Sequence, residues 1–429
     1  MNDKYVGCKV MVEGKGNVFS GKAEGIVLPN EDKSIIVVKL VSGYNIAINN
    51  DNIKSIKVLE KAKTNSLNVK TEKIIQNKSL KKVAIISMGG TIASRVDYKT
   101  GGVSPQFTSG DLISAIPEIK ELAQIDAIAL RNTWSENISD KDWVVLAKEI
   151  EKLASNYDGI IVTHGTDTMH YSSSMLSFML EELSVPVVFV GAQRSSDRPS
   201  SDSAYNLIGA LTFIRDTKRA GVFLAMHNST EDNVIAIHLG TKVRKMHSSR
   251  RDAFKSINYL PVSYVTLDLA AGKVKKTELM ETDLTNGVIK SKTTKISIKL
   301  SDSVSLVKFY PGMDPKIITQ LSKMHDCLII EGTGLGHVST EVLDSIKKSK
   351  SIIFMTTQTL NGRLNMNVYT RGKELISAGV TSLDDMLPET AYVKAKYVLG
   401  KTKNKKEIIE FMTSNLKGEL SDRSLFNEF

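Results

Sequence analysis

Apolar and polar positions divide the chain into three regimes. Up to about residue 60, short β-branched runs at Val10-Met11-Val12, Gly25-Ile26-Val27-Leu28, 34–40 and 44–48 alternate with turn clusters such as Gly14-Lys15-Gly16, Pro29-Asn30-Glu31-Asp32 and Ser42-Gly43. Several short strands at this spacing predict a small all-β barrel. From Lys54 to Lys82 the text turns rich in Lys, Asn and Ser with little apolar periodicity, and 61–81 reads as a polar linker. Beyond it, apolar runs alternate with amphipathic stretches, the pattern of a parallel, doubly wound α/β sheet. Strands are expected over 83–87, 127–131, 159–163, 187–190, 221–225 and 234–238, and helices over 109–115, 140–153, 168–183 and 202–215. Residues 82–274 form this first α/β domain, and the Lys- and Thr-rich stretch 275–300 reads as an interdomain connection. A second α/β domain over 301–429 carries expected strands at 304–309, 327–331 and 352–356 and helices at 315–323, 340–349 and 388–399.

The stretch Lys82-Val83-Ala84-Ile85-Ile86-Ser87-Met88-Gly89-Gly90-Thr91 is a nearly continuous apolar run that ends in two glycines and a threonine. It reads as a strand buried on both faces, with Thr91 displayed at its carboxyl tip, where open α/β sheets bind ligands. A second strand ends in Thr163-His164-Gly165-Thr166-Asp167-Thr168. Threonine becomes a nucleophile when a base takes its proton and donors await the oxyanion. Backbone N–H groups at the Gly89-Gly90 turn and after Gly165 are placed to supply those donors. Helix capping is the competing role for Thr91 and Thr166, since Ser, Thr and Asp favour the N-cap.

Composition narrows the class. The chain has 429 residues, 41% hydrophobic and 24% charged, a soluble globular balance with room for more than one core. Its N-terminus lacks an apolar leader and no run reaches the ~18 apolar residues of a membrane span, so a cytoplasmic location is expected. Two cysteines, Cys8 and Cys327, build neither a disulfide framework nor a zinc site. The histidines show no metal-ligand spacing, so no metal is expected. The net charge is +10, and thirteen lysines against eight acidic residues put half of it into residues 1–80. That asymmetry favours contact with RNA or another acidic surface by the N-terminal domain, against a plain solvated face. Gly332-Thr333-Gly334-Leu335-Gly336-His337 lacks dinucleotide-loop spacing and reads as a close-packed strand-to-helix turn. Lys242, Arg244, Lys245, Arg250 and Arg251 form a basic cluster, either a solvated face or the source of a lysine base.

Together, Gly89-Gly90-Thr91-Ile92-Ala93 and His164-Gly165-Thr166-Asp167-Thr168-Met169 resemble the two signatures of the asparaginase/glutaminase family of threonine amidohydrolases. The similarity continues through Gly191-Ala192-Gln193-Arg194, the segment from Lys245 to Asn258, and Gly332-Thr333-Gly334, and covers about residue 82 to the C-terminus. Within the family the chain most resembles the D subunits of archaeal glutamyl-tRNA(Gln) amidotransferases, by its N-terminal β-domain, Met169-His170-Tyr171 and the run from Ser377 through Asp384-Asp385-Met386-Leu387-Pro388-Glu389 to Ala391. The fold so implied is an asparaginase-like two-domain α/β body with parallel sheets behind a small all-β barrel.

By the same resemblance Thr91 is the nucleophile, and Thr166, Asp167 and Lys245 form the second catalytic group, Lys245 aligning better than Lys242. Gly90, Gly165, Ser135, Glu136 and the mobile-loop residue Tyr98 fall where the family contacts substrate. A neutral Lys245 is needed as base, favoured by burial or by Arg244 beside it. The implied activity is a glutaminase that supplies ammonia for conversion of Glu-tRNA(Gln) to Gln-tRNA(Gln). Its implied partners are an E subunit that handles ATP, Mg and tRNA(Gln), L-glutamine, and a second copy in a homodimeric core of a heterotetramer. No cofactor is expected in this chain itself. The rival readings are a free cytoplasmic L-asparaginase with an accessory domain and a non-catalytic tRNA- or partner-binding scaffold.

Overall fold

The computed structural model describes residues 3–15, 21–28, 32–40, 45–61, 77–89, 95–96, 103–104, 112–113, 116–194, 200–270, 273–281 and 291–423. Alternating apolar residues in the N-terminal part pair as an antiparallel sheet: β1 (Lys9–Gly14), β2 (Lys22–Leu28), β3 (Ile35–Leu40), β4 (Asn45–Asn49) and β5 (Ile53–Glu60), in the order β4-β3-β2-β1-β5. Val10, Val12, Val27, Ile36, Val38 and Ile48 point to one face and form a core of their own. The strand β5 lies where the Lys-rich text begins and is not among the strands the sequence predicts. Most of its side chains are exposed, so it has no buried alternation to read, and its place comes from backbone pairing with β1 at the sheet edge.

The first α/β domain comprises β6 (Lys82–Ser87), β7 (Gln124–Ala129), α1 (Asp140–Ala154), β8 (Gly159–Thr163), α2 (Met169–Met179), β9 (Pro186–Val190), α3 (Ser203–Asp216), β10 (Gly221–His227), β11 (Val234–Leu239), β12 (Ser263–Ala270) and β13 (Lys273–Glu281). Every residue of β8 and β9 is buried, which is why each reads as an unbroken apolar run. The sheet order is β13-β12-β11-β10-β9-β8-β6-β7. Strands β7, β6, β8, β9 and β10 are mutually parallel. The chain lays β7 on one side of β6 and β8 on the other, so the strand order reverses between β6 and β8. Ligands bind at such a reversal, outside the carboxyl ends of the strands.

Three expectations for this domain need correction. The strand β11 runs antiparallel to β10, because the short 228–233 turn makes a hairpin and leaves no room for a crossover helix. The connection expected at 275–300 begins too early: β13 pairs along β12 and extends the sheet to residue 281. Its lysine-rich sequence at a sheet edge mimics a linker. The helix expected over 168–183 ends at Met179, and Leu180–Glu182 instead pairs with Lys295–Ile296. Of the helix expected at 109–115, only residues 112–113 are described.

The second α/β domain contains β14 (Val304–Lys308), α4 (Lys316–Met324), β15 (Cys327–Gly332), α5 (Thr340–Lys347), β16 (Ile352–Thr357), α6 (Thr370–Ser377), β17 (Thr381–Ser382), α7 (Pro388–Lys401) and α8 (Lys405–Thr413), with its sheet in simple parallel order β14-β15-β16-β17. The loop after β15 is the tight turn its glycines suggested, with positive φ at Gly334 and Gly336. Helix α7 packs on α2, and one apolar core runs through both domains, with the Phe178 and Tyr397 rings stacked at 5.9 Å. Polar bonds lock the same seam. Lys242 Nζ donates to Asp385 Oδ2 at 2.7 Å with both side chains fully buried. Asn258 Nδ2 donates to Gly362 O at 2.9 Å, and Gly362 N donates back to Asn258 Oδ1 at 2.7 Å. Among the described residues, no helix is long and apolar enough to cross a membrane, and no cluster of His, Cys, Asp and Glu is arranged to hold a metal ion.

Candidate active site

At the carboxyl end of β6 the backbone turns at Gly89, whose φ is +112°. A Cβ there would sit 2.4 Å from Thr133 O, so the turn excludes every other residue type. Met88 N donates to Thr163 O at 3.0 Å and Thr133 N donates to Met88 O at 3.1 Å, which binds the ends of β6 and β8 to the 133–136 loop. Thr91 follows Gly89 by two positions. Thr91, Gly90 and Tyr98 lie outside the described residues.

The end of β8 is described in full. Helix α2 begins at Met169 with Thr168 in the N-cap position, so Thr166 lies ahead of the cap and is not engaged in capping. Thr168 Oγ1 donates instead to Ser135 O at 2.6 Å, drawing the Ser135-Glu136 turn onto the site. Gly165 permits this approach, since a Cβ on it would come within 2.8 Å of Ser135 Cβ. Ser135 is buried, Glu136 is exposed, and Ser135 Oγ donates to Glu136 Oε2 at 3.4 Å. Behind the turn, Trp143 Nε1 donates to Ser172 Oγ (2.8 Å), Ser172 Oγ donates to His164 Nε2 (2.9 Å), and His164 Nδ1 donates to Gly165 O (2.6 Å). This relay fixes one neutral imidazole tautomer and, with it, the Gly165 peptide.

Lys245 reaches the same point from a distant part of the sequence. It ends the short strand Val243–Lys245, which pairs with Phe254–Ser256 in a hairpin. Its Nζ donates to Thr166 Oγ1 at 2.9 Å and to Asp167 Oδ1 at 2.8 Å. The Lys245 side chain is only 10% exposed, whereas that of Asp167 is 69% exposed. Lys242 and Arg244 turn toward the second domain, Lys242 to Asp385 and Arg244 Nη2 to Glu389 Oε1 at 3.0 Å. The alternation of the strand therefore decides between the lysines: Lys242 is spent in a buried ion pair and Lys245 faces Thr166. Thr166, Asp167, Lys245, Gly165 and Ser135 are thus brought together, with Glu136 at the rim. A hydroxyl bonded to a lysine amine that is itself held by a carboxylate is a unit able to take and return a proton.

Charge around this unit is set mainly by burial. Burial pushes the His164 imidazole down to about 4. Burial, together with the Arg244 and Lys245 cations, pushes His170 down to about 3. Burial, aided by the Glu389 carboxylate, lifts the Tyr171 phenol to about 12. His238, buried under the hairpin against Ser256 Oγ, also falls to about 3 by burial. In the unfolded chain all three imidazoles titrate near about 6.5. Over the window between about 6.5 and about 4 the unfolded chain therefore binds more protons than the native one, so stability falls as pH falls. Each imidazole contributes about 1.4 kcal/mol per pH unit while this difference is complete. Denaturant unfolding between pH 7.5 and 4 is expected to show this steep acid loss, and a flat profile would contradict the burial of these rings.

Two pairings beside the site were not legible in the sequence, although Arg244 itself stood out in the basic cluster. Arg244 and Glu389 meet only because α7 docks beside the hairpin. Asp202, the N-cap of α3, and Asn206, one helical turn further on, bond to the 191–194 turn next to Thr166. Their i, i+4 spacing beyond a strand and glycine is the one trace of this arrangement.

Three family models match the chain: the Asparaginase, N-terminal model over residues 82–277, the Glutaminase/Asparaginase C-terminal domain over 303–412, and the GatD N-terminal domain over 6–59. The chain is 42% identical over 422 residues to the D subunit of glutamyl-tRNA(Gln) amidotransferase of Methanococcus maripaludis, covering 97% of this chain and 98% of that one. It is 45% identical over 415 residues to the protein of the same name from Pyrococcus furiosus, covering 95% and 92%. Among solved structures it resembles the thermostable L-asparaginase from Thermococcus kodakarensis, with a TM-score of 0.69 and 28% identity over 80% of this chain and all of that one. L-asparaginase I from Vibrio cholerae gives 0.67 and 26%, covering 80% of this chain and 99% of that one. The body is thus asparaginase-like along its length, the extra N-terminal sheet has its own counterpart, and the chain belongs to the family of glutamyl-tRNA(Gln) amidotransferase D subunits.

Proposed function

We propose that this chain hydrolyses glutamine and delivers the ammonia for conversion of Glu-tRNA(Gln) to Gln-tRNA(Gln). The observation that carries the reading is the Lys245–Thr166–Asp167 group at the tip of β8, beside the strand that runs into Gly90-Thr91. Thr91 Oγ attacks the side-chain amide carbon while its proton passes, directly or through water, to the Thr166–Lys245 pair. Backbone N–H groups at the glycine turn hold the oxyanion. The proton is returned to the leaving nitrogen, ammonia departs, and water hydrolyses the glutamyl ester on Thr91 by the same route in reverse. Asp167, exposed on its outer side, both orients Lys245 and receives the substrate ammonium. Ser135 and Glu136 line the substrate's amino-acid end, joined by Gly90, Gly165 and Tyr98.

In this reading the chain carries no cofactor of its own. An E subunit supplies ATP and Mg chemistry and the tRNA(Gln) contacts, two copies of this chain form the core of a heterotetramer, and the assembly works in the cytoplasm. The relatives named for a glutamyl-tRNA(Gln) amidotransferase support the acceptor. The likeness to L-asparaginases keeps asparagine as the competing substrate. Ammonia release is to be measured from glutamine and from asparagine, by the chain alone and with the partner subunit plus glutamylated tRNA. Glutamine hydrolysis that rises with partner and tRNA is expected. Vigorous asparagine hydrolysis by the isolated chain, unaffected by partner, would favour the free asparaginase, and no hydrolysis under any condition would favour a scaffold.

A further inference from the structure

We propose that a chain of polar side chains, Asp202–Asn206–His227–Asp232–Arg251, is the positioning device that holds Thr166 and Lys245 at bonding distance. Thr166 and Lys245 come from separate parts of the fold, the end of β8 and a hairpin beyond β11, and no backbone pairing joins the two in the described residues. Their 2.9 Å bond depends on whatever fixes the wall behind Thr166 relative to that hairpin.

The wall is Gly191, at the carboxyl end of β9. A Cβ on it would come within 2.7 Å of Thr166 Cγ2 and 3.1 Å of His164 O, so the Gly191 backbone lies directly against the threonine. Asn206 Nδ2 donates to Gly191 O at 3.0 Å and to Asp202 Oδ2 at 3.0 Å. The same Asp202 carboxylate, fully buried, accepts from Gln193 N at 3.0 Å and Arg194 N at 2.9 Å. Gly191-Ala192-Gln193-Arg194 is therefore clamped by the N-cap side chain of α3 and one side chain from its first turn. From Asn206 the chain continues outward. Its Oδ1 accepts from Nδ1 of the fully buried His227, at the end of β10, over 2.6 Å, and His227 Nε2 lies 3.2 Å from Asp232 Oδ1. Asp232 and Thr230 O both accept from the Arg251 guanidinium. Arg251 sits in the loop of the hairpin, between Lys245 at the end of its first strand and Phe254 at the start of its second, and Lys255 on the returning strand donates to Asn228 O. The path thus runs without a break from the backbone touching Thr166 to the hairpin carrying Lys245.

An apolar core would fill this space at no worse stability, because desolvating amide, imidazole and carboxylate together costs as much as their bonds return. What a polar chain adds is direction: each bond fixes an angle as well as a distance. A proton relay has use for that, since displacement by about 1 Å is enough to cost about a hundredfold in rate.

The proposal rests on the reading of Thr166 and Lys245 as the relay pair, and the test separates the two. Asp232 and Arg251 stand at the partly exposed end of the chain, where truncation leaves no closed cavity. Asp232→Ala, Arg251→Ala, the double variant, Arg251→Lys and Lys245→Met are to be compared as full chains in the partner complex, following ammonia release from glutamine and thermal unfolding. The expected result is a fall in kcat of about tenfold or more for each alanine variant, with KM for glutamine within about twofold, an unchanged melting temperature for Arg251→Ala, and a melting temperature lowered by no more than a few degrees for Asp232→Ala, which leaves buried His227 Nε2 without this partner. The double variant is expected to be no slower than the slower single one, and Arg251→Lys to recover most of the loss. A kcat near that of the unaltered chain, losses that add, or losses that track KM and melting temperature would overturn the proposal. If Lys245→Met retains full turnover, the relay reading itself falls. If that variant is inactive while the Asp232 and Arg251 variants are normal, only the positioning role falls.

Discussion

Lys245→Met is expected to lower glutamine turnover by about a thousandfold and to leave the fold intact, the size of effect that loss of a positioned general base produces. Methionine keeps the length and apolar stem of the lysine, which is nearly buried, so packing in the hairpin is preserved. The amine that bonds Thr166 and Asp167 is lost. Asp167 is largely exposed, so the carboxylate left behind remains solvated and adds no stability cost comparable to an orphaned buried charge. Lys245→Arg is expected to be nearly as inactive, because a guanidinium retains the charge and the donors but does not release a proton at working pH. Steady-state kinetics with far-UV circular dichroism on each variant checks both halves of the expectation. Turnover within tenfold of the unaltered chain would remove Lys245 from the mechanism.

The largest effect on stability is expected at the seam between the two α/β domains. Asp385→Ala leaves Lys242 fully buried without its counter-ion, and breaking a buried pair on one side costs about 3–5 kcal/mol. Burial already presses the Lys242 pKa downward against the pull of Asp385, so removing the carboxylate leaves desolvation unopposed by its closest partner. The same carboxylate accepts from Ser421 N at 3.0 Å, so the C-terminal segment loosens with it. The double variant Lys242→Met with Asp385→Leu is expected to recover most of the loss, since a matched apolar pair is often as stable as the ion pair it replaces. Urea unfolding of the three chains measures this. An Asp385→Ala variant as stable as the unaltered chain would mean that the pair does not hold the seam.

Much of the architecture was legible because parallel, doubly covered strands write themselves as apolar runs. The run over 159–163 coincides with β8, and the helices flanking it begin within a residue of where periodicity places them. At sheet edges the pattern fades: β5 and β13 are edge strands that carry lysines, and only backbone pairing reveals them. The site followed the same division. Thr166 and Asp167 announced themselves as a polar break after a buried strand. Lys245 was distinguishable from Lys242 by alignment of motifs, and its physical reason, a strand alternation that sends one lysine to Asp385 and the other to Thr166, emerged only from the fold. Arg244–Glu389 and the Asp202–Arg251 chain join residues from different elements that periodicity does not relate.

In the proposed mechanism Thr91 is the attacking group and Thr166 serves the relay. The most direct test is to react the chain with a diazoketone analogue of glutamine, which alkylates the hydroxyl that performs the attack, and to map the adduct by peptide mass spectrometry. The expected result is one adduct on Thr91, absent from Lys245→Met and suppressed by excess glutamine. An adduct on Thr166 with Thr91 unmodified would contradict that assignment.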